Sequence, residues 1–128
     1  MATCKVAPNN SSLLQLCIER KLVQTLKYRP FDLQDVKLLD GPFKAAHEAN
    51  IAYMFRLNPE RLLLTFWANA GLPVPAGINA YAGWESPDCA LRGHTMGHYL
   101  TALSLLVATD QNQAAQQRLT YLVNELEK

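Results

Sequence analysis

At 128 residues the chain is long enough for one domain of ordinary size, or for a piece of a larger one. With 49% hydrophobic and 18% charged residues it has a globular composition, and twelve basic against eleven acidic residues leave a net charge of +1. No basic stretch interleaves with aromatics, so a nucleic-acid partner is not expected, and no run approaches the roughly 18 apolar residues of a membrane helix. Cys4, Cys17 and Cys89 form no CxxC pair and leave an odd thiol, which suggests a reducing compartment. The apolar stretch from Leu13 to Ile18 is too short for a signal-peptide core and runs into Glu19, Arg20 and Lys21. A cytoplasmic location is the resulting expectation.

In chain order, residues 1–30 read as a loose N-terminal extension in which Ser11 or Ser12 can cap a short helix. Pro30 ends any helix there, because its ring clashes with the preceding turn. An imperfect alternation from Phe31 to Leu39 predicts a short extended segment. Asp40-Gly41-Pro42 is a helix start, with Asp40 as the capping side chain and Pro42 in the first turn. The helix predicted from about Phe43 to Leu57 carries Phe43, Ala46, Tyr53 and Leu57 near one stripe. Asn58-Pro59-Glu60 repeats the start grammar, Leu62, Leu63, Phe66 and Trp67 supply a buried side, and Gly71 a stop. From Leu72 to Asp88 the chain is a loop, punctuated by Pro73, Pro75, Gly77, Gly83 and Pro87 and long enough to suspect function.

The segment from His94 to Ala108 is strongly apolar and sorts into two faces at about 100° per residue. Met96, Tyr99, Leu100, Leu103, Leu106 and Val107 fall on one side. His94, Gly97, His98, Thr101, Ser104 and Leu105 fall on the other, a small and polar face suited to lining a pocket or meeting another backbone closely. After a turn at Asp110 to Asn112, Ala115, Leu119, Leu122, Val123 and Leu126 mark one stripe of a last helix, with Gln116, Gln117, Thr120, Asn124 and Glu127 covering the rest. A two-layer helical array, with inner helices around a cavity and outer helices around them, accounts for the difference between these two helices. The pattern is still running at Glu125-Leu126-Glu127-Lys128, with no stop signal, so a truncated all-α domain is the expectation.

Four residues are candidates for binding a ligand: Trp84, Glu85, His94 and His98. An aromatic beside a carboxylate suits sugar, the ring covering C–H faces and the carboxylate accepting hydroxyl protons. Equally, Trp84 can plug the loop onto the core and Glu85 can compensate a helix N-terminus. Arg92 is placed to pair with Glu85 or Asp88. His94 and His98 have the i, i+4 spacing of metal ligands, but a metalloprotease needs a glutamate directly after the first histidine, and position 95 is Thr95. A hydrogen-bonded pair is the commoner outcome, so no metal site is assigned, and Gly93 and Gly97 leave room for a ligand near the backbone. His47 and Glu48 point about 100° apart and read as surface residues. Cys89 lacks the setting of a nucleophile and reads as a packed or incidental thiol.

Five ordered blocks carry a family resemblance: Leu39-Asp40-Gly41-Pro42-Phe43; Glu48-Ala49-Asn50; Asn58-Pro59-Glu60-Arg61-Leu62-Leu63; Gly83-Trp84-Glu85; and Leu91-Arg92-Gly93-His94 with Gly97-His98-Tyr99-Leu100. Together they resemble the N-terminal part of glycoside hydrolase family 127, the β-L-arabinofuranosidase-like proteins. The resemblance implies the first helices of an (α/α)6 barrel over residues 31–128, with a carbohydrate substrate for the complete enzyme. It also implies retaining hydrolysis of terminal L-arabinofuranosyl linkages by a zinc-bound cysteine nucleophile and a glutamate acid/base, in place of the usual two carboxylates. Those catalytic and zinc-binding residues belong downstream of the blocks matched, so no catalytic residue and no cofactor is assigned to this chain, and an isolated arc of barrel is expected to be inactive and to self-associate. The alternative is a small helical binding or scaffold protein that keeps the motifs only as packing.

Overall fold

The structure, a computed structural model, describes residues 28–128. The helix expected near Ser11 and Ser12, with Cys4 and Cys17, lies outside the described residues. The chain divides into two units, Met1–Asp32 and Leu33–Lys128. Of the first, residues 28–32 are described and carry no regular element. The second holds four helices and, among the described residues, no strand: α1 Pro42–Arg56, α2 Pro59–Asn69, α3 His94–Asp110 and α4 Gln113–Leu126. Short 3-10 turns occupy Leu33–Asp35 and Gly83–Glu85. The first of these replaces the extended segment expected between Phe31 and Leu39. Alternation of apolar and polar residues specifies a strand only when a neighbouring strand pairs with it, and none is present among the described residues.

Each helix start has its own physical basis. At α2 the Asn58 side-chain oxygen accepts the amides of Glu60 and Arg61 at 2.8 and 3.2 Å, with Pro59 in the first turn. At α4 Asn112 accepts the Ala115 amide at 2.9 Å. At α1 the expected cap by Asp40 does not form: Gly41 stands at the N-cap without a side chain, and Asp40 instead meets Lys44 Nζ at 2.6 Å. The end of α2 is a Schellman closure. Gly71, at φ +70°, donates to Ala68 O, and Leu72 donates to Trp67 O, which returns the chain against the helix it has left.

The core is drawn from all four helices: Met54, Leu62, Leu63, Trp67, Met96, Tyr99, Leu103, Leu106, Ala115 and Leu122. Helix α3 contributes four of these, and the two-residue turn Gln111–Asn112 folds α4 back along it. Gln111 enters the left-handed region, at φ 53°, to make that reversal. The stripe expected on α1 is corrected. Leu57 packs inward as expected, but Phe43 is 78% exposed and Ala46 and Tyr53 also face outward, while Ile51, Met54 and Phe55 pack inward in their place. On α4, Val123 is 49% exposed and Arg118 takes a place on the inward side.

Arg118 explains how the end of α1 is held. Its Nη1 donates to the Tyr99 hydroxyl at 2.9 Å and shares its other N–H among the carbonyls of Met54, Phe55 and Leu57 at 3.3–3.4 Å, with the guanidinium over the Phe55 ring. Tyr99 in turn donates to Met54 O. The last carbonyls of a helix have no partner within it and carry partial negative charge, so a cation placed there satisfies both needs. The loop after α2 is tied down similarly. Arg61 donates to Asn79 O and Ala80 O and stacks on Tyr81, whose hydroxyl accepts the Asn58 amide.

Candidate functional site

The loop that follows α2 delivers Gly83-Trp84-Glu85 to the N-terminus of α3. Gly83 takes φ +69°, and the 3-10 turn it opens sends Glu85 inward and Trp84 outward. Glu85 is only 6% exposed. Its Oε2 accepts the Gly93 amide at 2.8 Å and its Oε1 accepts the Thr95 amide at 2.7 Å. Helix α3 begins after Gly93, which has no side chain to cap it and sits at φ +90°. Glu85 therefore does from outside the helix what a capping residue does from within. A side chain at position 93 would be strained by the backbone angle, and its Cβ, 2.9 Å from the tip of the Phe66 ring, would push that ring aside.

Two effects compete on the Glu85 carboxyl. Burial raises its pKa, but hydrogen bonds from the Thr95 side chain and from the Gly93 and Thr95 amides, with His94 nearby, outweigh it and hold the group below its ordinary value. Glu85 is thus an ionised acceptor with both oxygens engaged, the helix-compensating arrangement. Trp84 is 62% exposed, so it does not plug the loop onto the core. Its ring meets His94 edge-on, with centroids 6.0 Å apart. Arg92 pairs with neither Glu85 nor Asp88 but donates to Cys89 O at 3.3 Å, because the turn from Ser86 to Arg92 curls its side chain back on that carbonyl.

His94 and His98 stand one turn apart, both exposed, with Nε2 atoms 3.0 Å apart and ring planes at 82°. One Nε2 donates and the other accepts. Beyond them the exposed strip continues through Gly97, Thr101, Ser104 and Leu105, which is the division of faces expected for this helix. Thr101 and Ser104 donate their hydroxyl hydrogens to the carbonyls of Gly97 and Leu100, so outside the histidines the strip's side chains offer a ligand acceptors rather than free donors.

The structure therefore brings Trp84, His94 and His98 onto one surface and places Glu85 beneath them as support. Sequence reasoning offered helix compensation by Glu85 without naming its partners, the Thr95 and Gly93 amides, and it missed the Arg118–Tyr99 network and the contact of His47 Nε2 with Asp110 Oδ2 at 2.7 Å. A helix opening on glycine without a capping side chain was the one available signal for the first of these. A groove of about 290 Å³ lined by Phe66, Trp67, Leu72, Glu125, Leu126 and Lys128 has its carboxylate already bound to Trp67 Nε1 and Lys128 Nζ. Among the described residues no three of His, Cys, Asp and Glu stand together to hold a metal ion, and Cys89 is the one described thiol. These residues do not fit a thiolate-bound zinc centre.

A family model described as beta-L-arabinofuranosidase, GH127 catalytic domain, matches residues 35–128. That span holds all four helices and the surface built on Gly83–Glu85 and α3. The chain belongs to the GH127 family. No curated protein matches it in sequence.

Proposed function

We propose that the chain supplies the first helices of an (α/α)6-barrel domain that hydrolyses terminal β-L-arabinofuranosyl linkages. In this reading the exposed face of α3 looks into the cavity, and Trp84, His94 and His98 form part of its wall. The observation that supports this most is the convergence of Trp84, His94 and His98 on one uncovered strip anchored by an ionised, buried Glu85. An indole covers the apolar side of a furanose ring, and an imidazole nitrogen takes or gives a hydrogen bond to a hydroxyl. Glu85 holds the start of α3 in place and is not itself the acid of the reaction, because it is ionised and its oxygens face amides. Zinc and its thiolates, with the acid/base glutamate, are contributed by other parts of such a domain. No nucleic acid takes part, and no helix among the described residues is long and apolar enough to cross a membrane.

Retaining hydrolysis needs a nucleophile and an acid on either side of the glycosidic bond, and the described residues offer neither. The chain on its own is therefore expected to bind sugar weakly and to release no nitrophenol from an aryl β-L-arabinofuranoside. Titration of a methyl β-L-arabinofuranoside into the labelled chain should shift the Trp84 indole and the His94 and His98 ring signals, and His98→Ala should weaken that response. Absence of any shift, or a shift indifferent to His98→Ala, removes the sugar-contact assignment; nitrophenol release lost on Cys89→Ala removes the assignment of catalysis elsewhere.

A further inference from the structure

The two imidazoles of α3 stand as a hydrogen-bonded pair, close enough for one ion to meet both. No second protein hydrogen bond holds either ring, both are exposed, and their Nε2 atoms lie 3.0 Å apart. Two imidazole nitrogens bound to one divalent ion at about 2.0–2.1 Å are about 3.3–3.4 Å apart in a tetrahedral shell, but about 2.8–3.0 Å apart when the N–metal–N angle is close to a right angle. The 3.0 Å separation is that of the N–H···N hydrogen bond the pair makes, and it is short enough for one ion to reach both nitrogens after a small ring rotation. Copper(II) and nickel(II) stand at the high end of the affinity order for nitrogen donors.

We propose that His94 and His98 form a two-histidine site for a divalent transition metal at the high end of that order, copper(II) or nickel(II), with water completing the shell. The ion would lie about 1.4 Å off the line joining the two nitrogens, so a small ring rotation suffices and the helix does not move. The histidine that donates in the present pair shifts its proton from Nε2 to Nδ1 through water, which leaves both rings neutral and both Nε2 lone pairs free for the metal. A helix N-terminus ordinarily repels a cation. Here the Glu85 carboxylate lies on the Gly93 and Thr95 amides and offsets that charge. The site is distinct from any thiolate-bound zinc centre, since no thiol or third protein donor joins it among the described residues. It does not rest on the sugar-binding reading; metal and sugar hydroxyls would compete for the same nitrogens.

The probe is copper(II) alone, added to the full 128-residue chain after alkylation of its three thiols. Trp84 lies edge-on to His94, so a bound copper ion should quench its emission saturably. The frozen complex should show hyperfine coupling to two equatorial nitrogens. His98→Ala is expected to weaken binding at least about tenfold through loss of one of two donors, and His98→Gln likewise. His47→Ala, which removes the remaining histidine, is expected to leave binding unchanged. Coupling to a single nitrogen in the unaltered chain overturns the proposal without reference to any variant. So does copper binding of unchanged strength in His98→Ala. Neither measurement involves a sugar, so failure here leaves the sugar assignment standing, and the reverse.

Discussion

At the scale of single residues, Glu85 decides how the surface at α3 is held. Its carboxylate replaces a missing N-cap, and its lowered pKa ties that service to pH. A carboxyl whose folded pKa lies below its unfolded value stabilises the fold above the unfolded value, and that contribution is lost as pH falls through the folded one. Glu85→Gln keeps the shape but turns an amide group towards backbone N–H donors. It should destabilise the chain by about 1–3 kcal/mol near neutral pH, and the gap to the parent should close on acidification below the ordinary carboxylate value of 4.5. Urea melts of both chains across that range measure it, and a pH-independent difference would show that the charge has no part. The sequence left Glu85 between sugar contact and helix compensation. Its amide partners lie eight and ten positions away across a turn, whereas a capping box is read at three.

At the scale of elements, α3 was the legible helix and α1 the illegible one. In α3 the contrast between faces is sharp: Met96, Tyr99, Leu103 and Leu106 are buried, and His94, Gly97, His98, Thr101, Ser104 and Leu105 are not. A projection at about 100° per residue needs only that contrast. Helix α1 has large apolar residues around much of its circumference, and only the end bearing Ile51, Met54, Phe55 and Leu57 meets the core. Periodicity ranks such faces poorly, because the choice is made by which neighbours are present. On α4 the sequence favoured Val123 over Arg118, and hydropathy alone cannot see that the carbonyls ending α1 require a cation. Leu103→Ala, at a site with no exposure, should cost about 2–5 kcal/mol. Leu105→Ala, on the strip, should stay within about 0.5 kcal/mol. Equal losses in denaturant unfolding would mean that the two faces of α3 are not distinct in solution.

At the scale of the whole molecule, the four helices leave much apolar surface outside the core. Leu39 and Phe43 are 86% and 78% exposed, and Val36, Leu38, Tyr53, Trp84, Leu91 and Leu105 join them. Single exposed apolar residues are ordinary, but contiguous patches beyond a few hundred Å² drive association. The strip on α3 adds Leu105 to this exposed apolar surface. The chain should therefore associate as its concentration rises, with sedimentation velocity showing a weight-average mass that climbs with loading. Phe43→Ser should reduce the climb while leaving the melting temperature nearly unchanged, because Phe43 contributes no buried contact to lose. A chain that sediments as a monomer at every concentration and melts sharply would mean that these surfaces are tolerated in water as they stand. In that case the face of α3 would need no covering helix, and the reading of it as the inner wall of a barrel would lose its physical support.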